Sequence, residues 1–424
     1  MKFLFVSPEA LSIDLAYLVT QEGNDVKFFV QSATEKDVGD GFVEKVDSWE
    51  DLVDWAEVII FDDIGFGKTA EKLRAEGKKV VGGSTYTDRL ENEREFGQQE
   101  LAKAGVSVLP NWNFSDFEEA IKFVQSNPGR YVIKPSGKAQ NGKELLFVGQ
   151  EEDGNDVINV LAHYKKNWSN KIKIFQIQQF SSGVEVAVGA FFNGKEFIRP
   201  VNINFEHKRL FPSNIGPSTG EMGTLMMWTN KSSMFDLTLE KMKPALATSG
   251  YVGYIDINCI ANGTGIYPLE FTSRFGYPTI SIHMEGITSK WGKFLYALAK
   301  GENAGLNTKK GFQVGVVIAV PPFPFNDERT FRKFSEDATI LFKTEKLDGI
   351  HLGEVKKEGN DWRIAGKSGY SLVVTGSGST TLEAREQVYK RVANIMIPNM
   401  FYRTDIGSGW VKDSDLLLSY GYLQ

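Results

Sequence analysis

Four groups of residues have types and spacings that suggest chemistry. In Tyr131-Val132-Ile133-Lys134-Pro135-Ser136-Gly137-Lys138-Ala139-Gln140-Asn141-Gly142-Lys143, a strand delivers Lys134 and a small-residue loop follows. Such loops let backbone N–H groups approach phosphate oxygens while lysines supply charge; a plain solvated turn is the other reading. In Ile177-Gln178-Gln179-Phe180-Ser181-Ser182-Gly183-Val184-Glu185, a strand runs into a turn. Its backbone could meet an adenine edge and Glu185 could accept ribose hydroxyls, or it is simply a strand end. Asp256 and Glu270 lie on the two strands of an expected hairpin and are flanked by apolar residues. A carboxylate in such a setting needs a cation. That cation is either Mg²⁺ bridging nucleotide phosphates or Arg274. The fourth group, Gly65-Phe66-Gly67-Lys68-Thr69, imitates half of a phosphate loop. Asp62 stands where the loop's first glycine belongs, so it reads as a strand-to-helix turn.

The elements that must hold these groups follow from periodicity. Short apolar runs at 3–6, 26–30, 58–61 and 79–81 alternate with helical spacing at 13–20, 47–55 and 69–76, which predicts a small open parallel sheet. Such sheets bind ligands beyond the carboxyl ends of their strands. One polar amphipathic helix is expected over 87–104. Strands follow at 106–109, 131–134, 145–148 and 172–180, with a helix at 117–125, then a β-rich stretch over 185–204 and a helix at 237–249. Asn262-Gly263 predicts a hairpin of 254–260 with 265–271. A helix at 291–300, a polar boundary at 301–311 and a last mixed unit complete the chain.

Composition limits the alternatives. Among 424 residues, 42% are hydrophobic and 24% charged, an ordinary globular balance, and the net charge of −6 argues against a nucleic-acid surface. One cysteine, Cys259, excludes an intramolecular disulfide and a cysteine-based zinc site. No apolar run approaches the ~20 residues of a membrane span, and the first residues lack a signal-peptide pattern. A cytoplasmic protein with small-molecule substrates is expected, either a monomer or a homodimer, with no nucleic-acid or membrane partner.

Lys134 with its glycine loop, the Gln178 to Glu185 turn, Asp256 and Glu270 occur in the order used by ATP-grasp ligases. The chain resembles the phosphoribosylamine–glycine ligase family of that superfamily. The resemblance rests on Glu206-His207-Lys208-Arg209, on Gly216-Pro217-Ser218-Thr219-Gly220-Glu221-Met222-Gly223, on Leu269-Glu270-Phe271-Thr272-Ser273-Arg274-Phe275-Gly276-Tyr277-Pro278, and on Tyr402-Arg403-Thr404-Asp405-Ile406-Gly407. It implies an α/β (α+β) ATP-grasp fold. The expected parts are an N-terminal parallel-sheet domain over 1–89, an ATP-grasp domain over 90–310 with a lid at about 105–180, and a small C-terminal mixed β domain over 311–424.

The resemblance also implies roles. Arg94, Lys134 and Lys208 would meet the phosphates of ATP, with Gly137 and Gly142 in the lid loop. Gln178, Phe180 and Ser181 would meet adenine, and Glu185 the ribose. Glu270, with Asp256 and Thr272, would hold Mg²⁺ or Mn²⁺; Thr272 replaces the family's asparagine. Arg274 would stabilise the acyl phosphate, with Lys208 beside it. Pro217, Ser218, Thr219, Gly220, Glu221, Arg274 and Gly276 would line the substrate pocket. The implied reaction joins glycine to phosphoribosylamine through an acyl phosphate, in purine synthesis. Two alternatives stand beside it: a ligase for another amino acid and amine, and a catalytically silent ATP-binding protein. Two departures bear on substrate. Ser7-Pro8-Glu9-Ala10-Leu11-Ser12 replaces the family's phosphate-binding Gly-Gly-Arg-Glu-His turn, and Glu221 and Ser218 replace a glycine and an asparagine.

Overall fold

The structure is a computed structural model that describes residues 1–136, 145–303 and 305–423. Lys2–Ser7, Asp25–Val30, Val58–Phe61 and Val80–Val81 form the expected parallel sheet, with Lys2–Ser7 between Asp25–Val30 and Val58–Phe61. The strands Lys2–Ser7 and Val58–Phe61 are almost wholly buried, which is why they read as continuous apolar runs rather than alternations.

The site lies on an eight-stranded sheet. Its order runs Gly265–Thr272, Val252–Asn262, Val184–Asn193, Phe197–Glu206, Gly223–Thr229, Phe312–Ala319, Tyr370–Gly378, Ile350–Leu352. The sequence boundary at 301–311 falls between two neighbours of this sheet, because Phe312–Ala319 pairs with Gly223–Thr229. Ile255, Ile257 and Cys259 point into the main core, so the alternate residues Asp256 and Asn258 face the other way. A separate four-stranded sheet of Asn111–Phe114, Phe175–Gln179, Tyr131–Pro135 and Phe147–Val148 packs with the helices Phe117–Ser126 and Asn155–Trp168 around its own core. Among the described residues, no helix is long and apolar enough to cross a membrane.

Several expected elements differ. The stretch 47–55 holds only a 3-10 turn at Glu50–Leu52. Its apolar residues Trp49, Leu52, Val53 and Trp55 still pack against the buried sheet residues, as a turn cluster instead of a helical face. The helix expected over 87–104 is two helices, Thr85–Asn92 and Arg94–Lys103. They break at Glu93, whose φ of −111° and ψ of 86° end one and begin the other. The break lets the second helix pack Gly97 and Gln98 against Gly265–Thr272. No strand forms at 106–109. Val106 and Leu109 are buried as plugs, and pairing starts at Asn111. The helix expected at 237–249 is three pieces, Ser233–Leu237, Leu239–Met242 and Lys243–Thr248, broken where Thr238 leaves helical geometry. The helices Asn155–Trp168 and Thr279–Gly286 were not anticipated.

Candidate active site

The register of the hairpin sets the first part of the site. Asp256 pairs with Thr272 and Asn258 with Glu270. Directly opposed and alternate residues share a face, so all four side chains stand on the surface that also carries Glu185 and Glu206. Neighbouring strands bring those two in: Ile260 pairs with Glu185, and the Asn258 amide donates to Glu206 Oε2 at 2.9 Å.

Lys208 is the hub. Its Nζ lies 2.9 Å from Glu185 Oε1, 3.2 Å from Glu270 Oε1 and 3.5 Å from Glu206 Oε2. The ammonium holds Glu270 down to about 2, outweighing the partial desolvation of the crowded cluster, with Arg94 and Lys134 adding to the effect. Of the two cations weighed for the acid pair, Arg274 is therefore not the one present; Lys208 takes Glu270. Three facing carboxylates raise Lys208 well above the usual lysine value. Lys134 is buried, and burial followed by the neighbouring Arg94 lowers it to about 7. Three cations thus converge on a surface able to take a polyphosphate. The Arg94 Nε and Gln178 Nε2 are buried without a hydrogen-bond partner, which suits groups awaiting a ligand.

The C-terminal motif supports this hub. Buried Arg403 donates to Asp405, to the Arg209 carbonyl at 2.8 Å and to Asn214 Oδ1 at 2.9 Å. It therefore staples down the chain that follows Lys208. Thr219 N and Oγ1 both donate to the Lys208 carbonyl, which fixes the chain on the other side.

Arg274 is anchored separately, with Nε 2.9 Å from Asp63 Oδ1 and 3.1 Å from Glu91 Oε1. Ser273 N also donates to Glu91. A cavity of about 410 Å³ runs between two groups of lining residues. One holds Glu206, Lys208, Thr219, Gly220, Glu221, Asp256, Glu270, Thr272, Arg274 and Gly276. The other holds Glu9, Leu11, Glu35, Phe323, Asn326, Glu354, Lys367, Ser368 and Tyr370. Asp256 and Glu221 are pushed well up, first by burial and then by Glu206.

Most expected residues come together here, with exceptions. Pro217 and Ser218 sit on the ribbon Ile215–Ser218, paired with Arg209–Phe211, and do not line the cavity. The Phe180 N–H is donated to the Arg130 carbonyl, so an adenine contact from Phe180 must use its carbonyl. Gly137 and Gly142 lie outside the described residues. The phosphate-loop imitation is a helix start whose Gly67 N–H donates to Asp88 Oδ2 at 2.9 Å. Sequence reasoning missed Glu206, Glu91, Asp63, Glu35, Glu354 and Lys367. Glu206 lies two residues before Lys208 on an alternating strand, and that spacing was a usable signal.

A divalent ion fits this surface only with help. Among the described residues, no three His, Cys, Asp or Glu side chains cluster to hold a metal. Glu270, Thr272 and Asp256 supply one or two carboxylates and a hydroxyl, and nucleotide phosphates would complete the shell, as is common for Mg²⁺.

The phosphoribosylglycinamide synthetase ATP-grasp (A) domain matches residues 92–280, and the C domain of the same family matches residues 313–409. Together they span about two thirds of the chain. A phosphoribosylamine–glycine ligase of Streptococcus pneumoniae is 27% identical over 360 residues, 83% of either chain. One from Listeria monocytogenes is 26% identical over 351 residues, 80% of each. The crystal structure of phosphoribosylamine–glycine ligase from Thermotoga maritima superposes with a TM-score of 0.72 at 20% identity, covering 96% of this chain and all of that one. Biotin carboxylase from Campylobacter jejuni shares the fold, with a TM-score of 0.63 at 13% identity over 99% and 98% of the two chains. The fold and the site define an ATP-grasp ligase, an enzyme that forms a C–N bond using ATP and a divalent metal. The chain belongs to the phosphoribosylglycinamide synthetase family.

Proposed function

We propose that the chain joins glycine to an amine at the expense of ATP. Phosphoribosylamine, the amine in its relatives' name, is the leading acceptor, giving glycinamide ribonucleotide, ADP and phosphate in purine synthesis. The observation that carries the ligase reading is the convergence of Lys208, Lys134 and Arg94 on the surface bearing Glu270, with Arg274 opening onto the same cavity. Lys208, Lys134 and Arg94 hold the triphosphate, and Glu185 takes the ribose. Mg²⁺ held by Glu270, with Thr272 or Asp256, would neutralise charge between phosphates. Arg274, fixed by Asp63 and Glu91, stabilises the oxygens of the acyl phosphate. Positioning and charge neutralisation supply the rate in phosphoryl transfer, so no covalent nucleophile is needed. The three stretches 1–89, 90–310 and 311–424 divide the work into acceptor side, nucleotide side and cavity wall.

The test is ADP release by the full chain with ATP, Mg²⁺ and glycine, with and without phosphoribosylamine. Release that needs both substrates is expected. ATP binding without release under any combination would leave a silent nucleotide-binding protein. One observation favours a second reading, a different acceptor amine: Glu9 stands in the turn that replaces the family's phosphate-binding sequence, and Glu35 and Glu354 line the same cavity.

A further inference from the structure

The cavity holds carboxylates along its length, and nearly all of them have partners within the chain. Glu270 and Glu206 share Lys208, and Glu206 also accepts from the Asn258 amide. Asp256 faces the hydroxyls of Thr272 and Tyr254, which favour its charged form. Glu354 accepts the N–H groups of Lys367, Ser368 and Gly369 at 3.2, 2.8 and 3.1 Å. Glu9 and Glu35 share Lys367, whose Nζ stands 3.9 and 3.7 Å from them. Glu221 differs. It is 9% exposed, its Oε1 is buried without a hydrogen-bond partner, and among the described residues it forms no ion pair.

The main chain fixes Glu221 where it stands. On one side Thr219 donates its N–H at 2.8 Å and its hydroxyl at 3.0 Å to the Lys208 carbonyl. On the other side Met222 donates to the His207 carbonyl at 2.8 Å, and its own carbonyl accepts from Val317 at 3.0 Å. The carboxylate is therefore held beside the segment that carries Lys208. Tyr370 lines the same cavity, and its hydroxyl is also buried without a partner. Burial, and next the charge of Glu221, raise that hydroxyl well above its ordinary value, so it stays neutral with lone pairs to offer. A buried carboxylate oxygen with no donor is costly. A proton would remove the charge and still leave the atom unpaired. An ammonium supplies both the opposite charge and the N–H groups.

We propose that Glu221 selects an amino acid over other small carboxylic acids, by taking the α-ammonium of glycine while the Tyr370 hydroxyl accepts a second N–H. The proposal rests on the ligase reading above and deepens it. One carbon separates the carboxylate of an α-amino acid from its ammonium, so the two subsites must adjoin. Lys208 and Arg274 draw the carboxylate, and Glu221 lies next to Lys208. The far end of the cavity, at Glu9, Glu35 and Lys367, stays with the acceptor. The glycine carboxylate oxygen bonds to the γ-phosphorus of ATP as the bond from that phosphorus to the β-phosphate oxygen breaks. ADP leaves with the electron pair. The ammonium keeps its three protons throughout. Held in this way it has no lone pair to present to the acyl phosphate.

The test compares glycine with glycolate, which carries a hydroxyl in place of the ammonium, using the full chain with ATP, Mg²⁺ and phosphoribosylamine. Wild type should release ADP with glycine and far less with glycolate. Glu221→Gln keeps the side-chain volume and should raise the glycine KM about tenfold or more, with the ATP KM unchanged. It should also cut the glycine-to-glycolate ratio of kcat/KM about tenfold. A merely damaged fold leaves that ratio alone, because both substrates suffer equally. Tyr370→Phe, which keeps the ring against Phe323, should move the ratio the same way by a smaller factor. A ratio unmoved in both variants, or KM values for glycine and ATP that rise in step, would overturn the proposal. Equilibrium dialysis of labelled glycine against protein loaded with Mg²⁺ and ADP separates this outcome from failure of the ligase reading. Glycine binding that is lost in Glu221→Gln, with no ADP release from wild type under any acceptor, keeps the ammonium site and ends the ligase reading. Wild-type turnover of glycine to which Glu221→Gln is indifferent ends the Glu221 assignment alone. Neither binding nor turnover of glycine ends both.

Discussion

Lys208 balances three carboxylates, and its removal leaves Glu185, Glu206 and Glu270 facing one another. Because the cluster is partly exposed, Lys208→Met should cost about 1–3 kcal/mol, readable as a lower Tm, and should weaken ATP binding. Glu270→Gln should end metal-dependent ADP release while the far-UV spectrum and Tm stay near wild type; undiminished release would remove Glu270 from the metal role. Lys134 gives a pH signature. It sits near 7 without ligand, against 10.5 for an ordinary lysine, and contact with phosphate favours its charged form. ATP binding should then take up a proton between about pH 7 and 10.5, and affinity should fall as pH rises through that window. Calorimetry in two buffers of different ionisation enthalpy measures the uptake, and Lys134→Arg should remove it. Lys134, Glu185, Lys208, Glu270 and Arg274 were legible in the sequence because each lies in a contiguous motif. Glu91 and Asp63, which aim Arg274, were not, since their partners lie 183 residues away for Glu91 and at similar distance for Asp63.

The helix Thr279–Gly286 shows why some elements were illegible. Seven of its eight residues are buried, so it has no polar face and no amphipathic period to detect. Asn155–Trp168 did carry a stripe, Val157, Leu161 and Tyr164, and its polar composition masked it. The hairpin, by contrast, announced itself through Asn262-Gly263 and held. The buried helix also brings His283 against Phe191, Trp228 and Tyr254, with neither ring nitrogen partnered. Burial lowers His283 to about 3. Below pH 6.5 the unfolded chain gains a proton that the folded chain refuses, so stability falls as pH drops from 6.5 towards 3. At pH 4 the loss from this residue is about 3 kcal/mol. Urea midpoints at pH 7 and pH 4 for wild type and His283→Leu would measure it, the variant showing the smaller difference.

At the scale of the molecule, long-range carboxylates tie the N-terminal sheet to the rest. Glu22 accepts the N–H groups of Trp291 and Gly292 at 2.8 Å each, which caps a helix whose own N-cap residue makes no side-chain hydrogen bond. Asp14 meets His351 at 2.9 Å. Glu22→Ala should cost about 1 kcal/mol, seen as a lower Tm with ATP affinity kept. The acidic wall of Glu9, Glu35 and Glu354 was out of reach of any local pattern, because Glu354 lies more than 300 residues from the other two. The one visible trace was the acid in the turn at Glu9.

The strand Phe312–Ala319 binds the edge of Gly223–Thr229, and Tyr370–Gly378 in turn covers Phe312–Ala319. During synthesis the ribosome completes every expected nucleotide contact, from Arg94 to Arg274, before either covering strand exists. The nascent sheet therefore waits with a raw hydrogen-bonding margin exposed, the kind of surface that captures a neighbouring chain. Genes cut short ahead of residue 378 should yield insoluble protein instead of a smaller working ligase, and the cradle comes of age only when the tail is made.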